Sequence, residues 1–170
     1  GNIVGGGSTL TQQLAKNAYL TLDQTLIRKA KELFLAFEIE SKYTKDEILE
    51  MYLNNAYFGS GVWGVEDASQ KYFGKSASEV SLSEAAVLAG ILKSPSYYNP
   101  IDNYEASTDR RNTVLQLLAD NAFIDQATAD AAMAEDINVV GTYYANSSYN
   151  YPYYFDAVID EAVNTYGLDE

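Results

Sequence analysis

The chain has 170 residues, 47% of them hydrophobic, which is enough for one domain with a proper core, and 11 basic against 24 acidic residues give it a formal net charge of −13. That balance excludes the extended Lys/Arg surface on which nucleic acids are bound. The absence of Cys and His removes disulfides, the usual zinc ligands and the commonest general base, leaving acid–base work to carboxylates, Lys or Tyr.

The pattern of apolar residues is helical almost throughout, so a mainly α chain is expected. Three glycines, Gly5 to Gly7, precede Ser8 and Thr9, and Leu10, Leu14 and Ala18 follow at helical spacing. A helix should begin near Ser8, with its free N–H groups at the glycine turn. A second helix is expected from about Gln24 to Ser41, with Ala30, Leu33, Phe34 and Phe37 on a buried stripe and Glu32 off it. Thr44 with Glu47, and Ser81 with Glu84, read as capping boxes opening helices through Asn55 and Leu92. Gly59, Gly61 and Gly64 break the chain before a short helix from Val65 to Tyr72. Glu66 reads as a surface residue of that helix, and Tyr52, Tyr57 and Phe58 read as core aromatics.

Pro95 and Pro100 should end the helical run after Lys93, leaving a loop over Ser94 to Asn103. Val114, Leu115 and Leu118 mark a helix from Glu105 to Asp120, and Asp125 caps an alanine-rich one ending near Glu135. Beyond Gly141, six of the fifteen tyrosines crowd between Tyr143 and Tyr154, a composition typical of a linker. Phe155, Val158, Ile159 and Val163 then suggest a last amphipathic helix. A boundary falls near Gly141, with residues 1–141 as the main domain and 142–170 as linker and connector.

The cations are concentrated near the start. From Gly1 to Lys31 the charged residues are Lys16, Arg28, Lys29 and Lys31 against Asp23 alone, a local balance of +3 in an acidic chain. Cations beside a Gly/Ser/Thr/Gln turn suit a substrate with negative oxygens, most simply a phosphate or diphosphate. Arg28 and Lys29 precede Glu32 by four and three residues and so share its helix face. By spacing alone this is an ordinary surface ion pair; beside the turn it becomes a candidate for orienting cations on a leaving group or holding a divalent ion. If a diphosphate were a leaving group, such cations would offset the charge that develops on it, in place of an acid.

Four blocks carry a family resemblance: Gly5 to Asn17 (GGGSTLTQQLAKN) with Arg28 to Glu32 (RKAKE), Lys45 to Asn54 (KDEILEMYLN), Gly64 to Gly74 (GVEDASQKYFG) and Leu82 to Pro100. In this order they resemble the peptidoglycan glycosyltransferases, the glycan-polymerising domains of class A penicillin-binding proteins and of monofunctional transglycosylases, over roughly Gly5 to Val140. The resemblance implies a lysozyme-like large helical lobe. It implies that Ser8, Thr9, Gln12, Gln13, Lys16 and Asn17 contact the diphosphate-sugar region of the donor, with Arg28, Lys29 and Lys31 beside them. Glu32 would be the catalytic-site carboxylate that supports the lipid-linked diphosphate, in some cases through a divalent metal, Mg or Mn. No organic cofactor is implied.

The family's other glutamate, the base in a Glu-Asp-x-x-Phe-x-x-His-x-Gly motif, has no counterpart in this His-free sequence, and Gln24 stands where many relatives carry arginine. The chain therefore reads as an N-terminally truncated piece, inactive alone, of a parent that polymerises lipid II into glycan strands and releases undecaprenyl diphosphate. The implied partners are lipid II, the lipid-linked glycan strand, the cytoplasmic membrane through an N-terminal segment, and a transpeptidase domain in the same parent, with no nucleic acid. The implied location is the outer face of the bacterial cytoplasmic membrane. Two alternatives stand beside this reading: a lysozyme-like hydrolase of the same polymer, and a non-catalytic helical interaction module.

Overall fold

A computed structural model describes residues 8–19 and 26–140 of the chain. Among them the helices are α1 (Leu10–Tyr19), α2 (Leu26–Lys42), α3 (Lys45–Asn55), α4 (Val65–Phe73), α5 (Leu82–Ile91), α6 (Pro95–Tyr98), α7 (Tyr104–Asp120) and α8 (Gln126–Ala134), with a 3-10 turn at Ala77–Glu79. The described residues contain no strand, only one antiparallel bridge between Tyr57 and Trp63. The chain is mainly α. The expected linker and last helix beyond Gly141 lie outside the described residues. The helices fall into two compact units, one holding α1 and α2, the other running from Tyr43 and holding α3 to α8.

In the first unit, α1 starts at Leu10, two residues after Ser8, because Thr9 is the cap. Thr9 Oγ1 accepts the Gln12 N–H and the Gln12 side chain accepts the Thr9 N–H, both at 3.1 Å, a reciprocal box that satisfies two otherwise orphaned donors. Thr11, Leu14 and Ala15 are buried, while Gln13, Lys16 and Asn17 lie on the exposed side. α1 packs against α2. Thr11 near the start of α1 donates to Glu40 near the end of α2 at 2.7 Å, so the two helices run antiparallel.

The buried stripe of α2 is not the one the apolar pattern suggested. Leu35, Ala36 and Ile39 are buried, whereas Leu33 is 60% and Phe37 69% exposed and Phe34 is exposed too; the side chain of Ala30 lies outside the described ones. The sequence from Leu33 to Phe37 is apolar all the way round the helix, so periodicity cannot choose a face. The stripe that is buried carries small Ala36, as α1 carries Ala15, and small side chains let two helices approach closely.

The second unit is built around α5, whose Ala86, Val87, Leu88, Gly90 and Ile91 are all buried, and α4, α6, α7 and α8 pack on it. Ala86, Leu115 and Ala132 form the α5–α7–α8 core, with Leu82, Val114, Ile124 and Met133 packed around them. The expected capping boxes are present at Thr44/Glu47 and Ser81/Glu84, and Asp125 caps α8 through the Thr128 N–H. One expected loop is partly helical: Pro95 does not end structure there but occupies the first position of α6, where its missing N–H costs nothing and its fixed φ suits a helix.

Two side chains do more than the sequence suggested. Glu66, expected on the surface of α4, instead accepts from the Ala77 N–H at 2.8 Å, from Ser76 Oγ at 3.2 Å and from Gln70 at 3.1 Å. These bonds, the Ala77 N–H first, hold its carboxyl below the usual carboxylate range. Arg111 is buried and reaches the carbonyls of Met133 at 2.8 Å and Glu135 at 2.6 Å, as well as Ser83 Oγ at 3.0 Å. It thereby satisfies the open C-terminal carbonyls of α8 and ties α5, α7 and α8 together.

Candidate functional site

The antiparallel α1–α2 pair places the expected site residues at two levels. Lys16 and Asn17 sit one turn from the end of α1, and Arg28, Lys29, Lys31 and Glu32 occupy the first two turns of α2. Both stretches lie at the end of the pair where residues 20–25 connect the helices. Four cationic positions therefore gather at one end, three of them on α2. Ser8 and Thr9 lie at the other end of α1, roughly 13 Å away at 1.5 Å per residue.

By register, position 32 falls on the same stripe of α2 as Leu35, Ala36 and Ile39, with position 28 one turn back along it. On α1, Gln13, Lys16 and Asn17 follow at i, i+3 and i+4 and form one exposed polar face. The Gln12 carbonyl oxygen is committed to the Thr9 cap, which leaves its amide N–H₂ as the group able to meet a ligand. Gln13 Nε2 donates to the Ser8 carbonyl at 3.4 Å.

In the second unit a shallow cavity of about 350 Å³ runs along α3 and the start of α4, lined by Asp46, Leu49, Glu50, Leu53, Asn54 and Val65. None of the expected site residues lines it. Among the described residues no group of three or more His, Cys, Asp or Glu side chains converges as a metal site. No helix among them is long and apolar enough to cross a membrane.

A family model described as transglycosylase matches residues 1–119, which takes in both cationic stretches and α3 to α6. The chain belongs to the transglycosylase family. It is 60% identical over 169 residues to penicillin-binding protein 2a of Streptococcus pneumoniae (98% of this chain, 23% of that protein). It is 44% identical over 170 residues to penicillin-binding protein 1A of Pseudomonas aeruginosa (99% and 20%). Among solved structures, penicillin-binding protein 1A from Haemophilus influenzae matches with a TM-score of 0.54 at 29% identity, covering 95% of this chain and 20% of that one. The chain thus spans between a fifth and a quarter of the length of these relatives.

Proposed function

We propose that this transglycosylase-family chain is the diphosphate-binding part of a peptidoglycan glycosyltransferase whose parent polymerises lipid II into glycan strands. The observation that carries the reading is that positions 16, 28, 29 and 31, all cationic, fall at one end of the α1–α2 pair, in a chain that is otherwise strongly acidic. As the bond from the sugar to the diphosphate breaks, negative charge grows on the leaving oxygen, and fixed cations stabilise it without any proton transfer. Glu32, on the face of Arg28 and Lys29, orients these cations. The acceptor's sugar hydroxyl loses its proton to a base as it attacks the anomeric carbon, and the configuration inverts. The hydrolase alternative needs a carboxyl raised in pKa beside a water site, whereas diphosphate chemistry needs clustered cations, and the sequence supplies the cations.

A divalent cation belongs to this reading only through Glu32. A single carboxylate together with substrate phosphate oxygens is a donor set that suits Mg, which takes few protein ligands, and the ion would supply further neutralisation of the diphosphate. No step depends on it. We place the parent at the outer face of the cytoplasmic membrane, where its lipid-linked substrate is, with a transpeptidase domain in the same polypeptide, as the names of the penicillin-binding relatives suggest. The sequence contains no His and so no Glu-Asp-x-x-Phe-x-x-His-x-Gly base motif; these 170 residues alone should bind the donor without polymerising it.

Calorimetry with a lipid-diphosphate analogue or a phosphoglycolipid transglycosylase inhibitor tests this. Binding should weaken with salt, and Lys16→Ala and Glu32→Gln should each weaken it by about 10–100-fold, the range for losing one charge-assisted contact. Salt-independent binding, or binding untouched by both substitutions, would count against the reading.

A further inference from the structure

The chain between α3 and α4 forms a tight hairpin. Phe58 N–H donates to the Val62 carbonyl and Gly64 N–H to the Ala56 carbonyl, both at 2.9 Å, and Val62 N–H donates to the Gly59 carbonyl at 3.0 Å. Strand alternation then decides which side chains go where. Phe58 and Val62 turn inward and are buried, while Tyr57, half-buried and not in the core as expected, pairs across the bridge with exposed Trp63. Their rings lie 4.9 Å apart at 45°, and Trp63 is 60% exposed.

The hairpin is fastened from several sides. Lys71 Nζ donates to the Ser60 carbonyl and the Tyr72 hydroxyl to the Phe58 carbonyl, both at 2.7 Å. The Gly61 N–H donates to the Tyr57 hydroxyl at 3.2 Å, fixing that ring by its far end. Gly59 has φ +86° and its backbone lies so close to the Pro95 carbonyl that a Cβ would collide with it; Gly64, at φ +85°, would put a Cβ 2.9 Å from the Asn54 carbonyl oxygen. Such positions admit only glycine without strain. The chain therefore spends several constraints on holding one indole in water, although burying a ring of that size is worth several kcal/mol elsewhere.

A rigid flat apolar surface with an N–H at its edge matches one kind of ligand well: a pyranose ring, which offers C–H groups on its face and hydroxyls around its rim. A membrane surface fits less well, because the net charge is −13 and Glu66 and Asp67 follow within four residues, and anionic headgroups would be repelled. We propose that Trp63 is a stacking platform for a sugar ring of the glycan chain, with Tyr57 positioning it. The proposal rests on the glycosyltransferase reading for its ligand class, and it lies in a different unit from the diphosphate cations.

Trp63 is the one tryptophan in the sequence, so fluorescence excited at the red edge of the indole band, where the fifteen tyrosines do not absorb, reports on it alone. The 170-residue chain is titrated with peptide-free N-acetylglucosamine–N-acetylmuramic acid oligosaccharides, which carry neither lipid nor diphosphate, and separately with anionic phospholipid vesicles. We expect a saturable change in emission with the oligosaccharides and none with vesicles. By calorimetry Trp63→Ala should weaken oligosaccharide binding about tenfold or more, Trp63→Phe should recover part of it, and circular dichroism should show both folded. The proposal is overturned if oligosaccharides do not bind, if they bind without changing the emission, if Trp63→Ala binds them equally well, or if only vesicles shift the emission. A lipid-diphosphate titration of Trp63→Ala separates the two readings. Retained diphosphate binding leaves the glycosyltransferase reading standing whatever becomes of the platform, whereas its absence in the unsubstituted chain removes the basis of both.

Discussion

Tyr72 has no exposed surface, and its hydroxyl donates to the Phe58 carbonyl at 2.7 Å. Burial pushes its phenol up to about 12, from an ordinary 10.0, because the phenolate would lose its hydration. The folded state therefore holds this proton more tightly than the unfolded state does. Its contribution is complete below about pH 10 and is lost as pH rises from there toward 12, a total of about 2–3 kcal/mol. Tyr72→Phe should cost about 1 kcal/mol at neutral pH, through the lost hydrogen bond, and should flatten the alkaline limb of a stability–pH curve measured by urea unfolding. A limb as steep as in the parent would show that Tyr72 does not control it. At this scale sequence and structure part company. The sequence pattern carries a short helix as far as Tyr72, but nothing in the spacing of Lys71 and Tyr72 says that both tie down the Phe58–Ser60 backbone. Likewise Glu66 is a helix-surface residue by pattern, and only the fold brings the Ala77 N–H to it.

At the scale of elements, what was legible is what depends on residues three or four apart. The boxes at Thr44/Glu47 and Ser81/Glu84 and the Asp125 cap could be read because a cap is a local arrangement, complete within one turn. The buried face of α2 could not, because Leu and Phe on both sides leave the choice to whatever packs there. The role of Arg111 was hidden for the same reason: its partners are 22 to 28 residues distant in sequence. Those partners make a prediction. Arg111→Ala leaves Ser83 and two carbonyls of the α8 end without a donor inside the unit, and should destabilise it by about 3 kcal/mol or more. Arg111→Lys, which keeps the charge but not the fork, should recover only part. Thermal unfolding followed by circular dichroism checks both, and a shift in Tm below about 4 °C for the alanine variant would show the clamp to be dispensable.

On the scale of the whole molecule, the family motifs are divided between two compact units: the cationic motifs lie on α1 and α2, and the remaining blocks lie on α3 to α6. The family was readable because its motifs are long and ordered, but this division was not, since it follows from which helices bury surface against which. In the second unit α5 is covered by α4, α6, α7 and α8, and the chain returns to close it when the Val140 N–H donates to the Tyr72 carbonyl at 2.9 Å. Its capping boxes and the Arg111 clamp are likewise internal. The core, caps and clamp just described are drawn from residues 43–140, so a fragment of residues 43–140 should fold alone, with helical circular dichroism and one cooperative thermal transition. Arg111→Ala should lower the transition of the fragment and of the full chain alike. Lys16→Ala and Glu32→Gln, which lie in the first unit and are proposed to weaken diphosphate binding, should leave the corresponding transition of the full chain within about 2 °C. A fragment that is helical but melts without cooperativity would mean that the core of the second unit is completed by residues outside 43–140, and the independence of the two units would then be wrong.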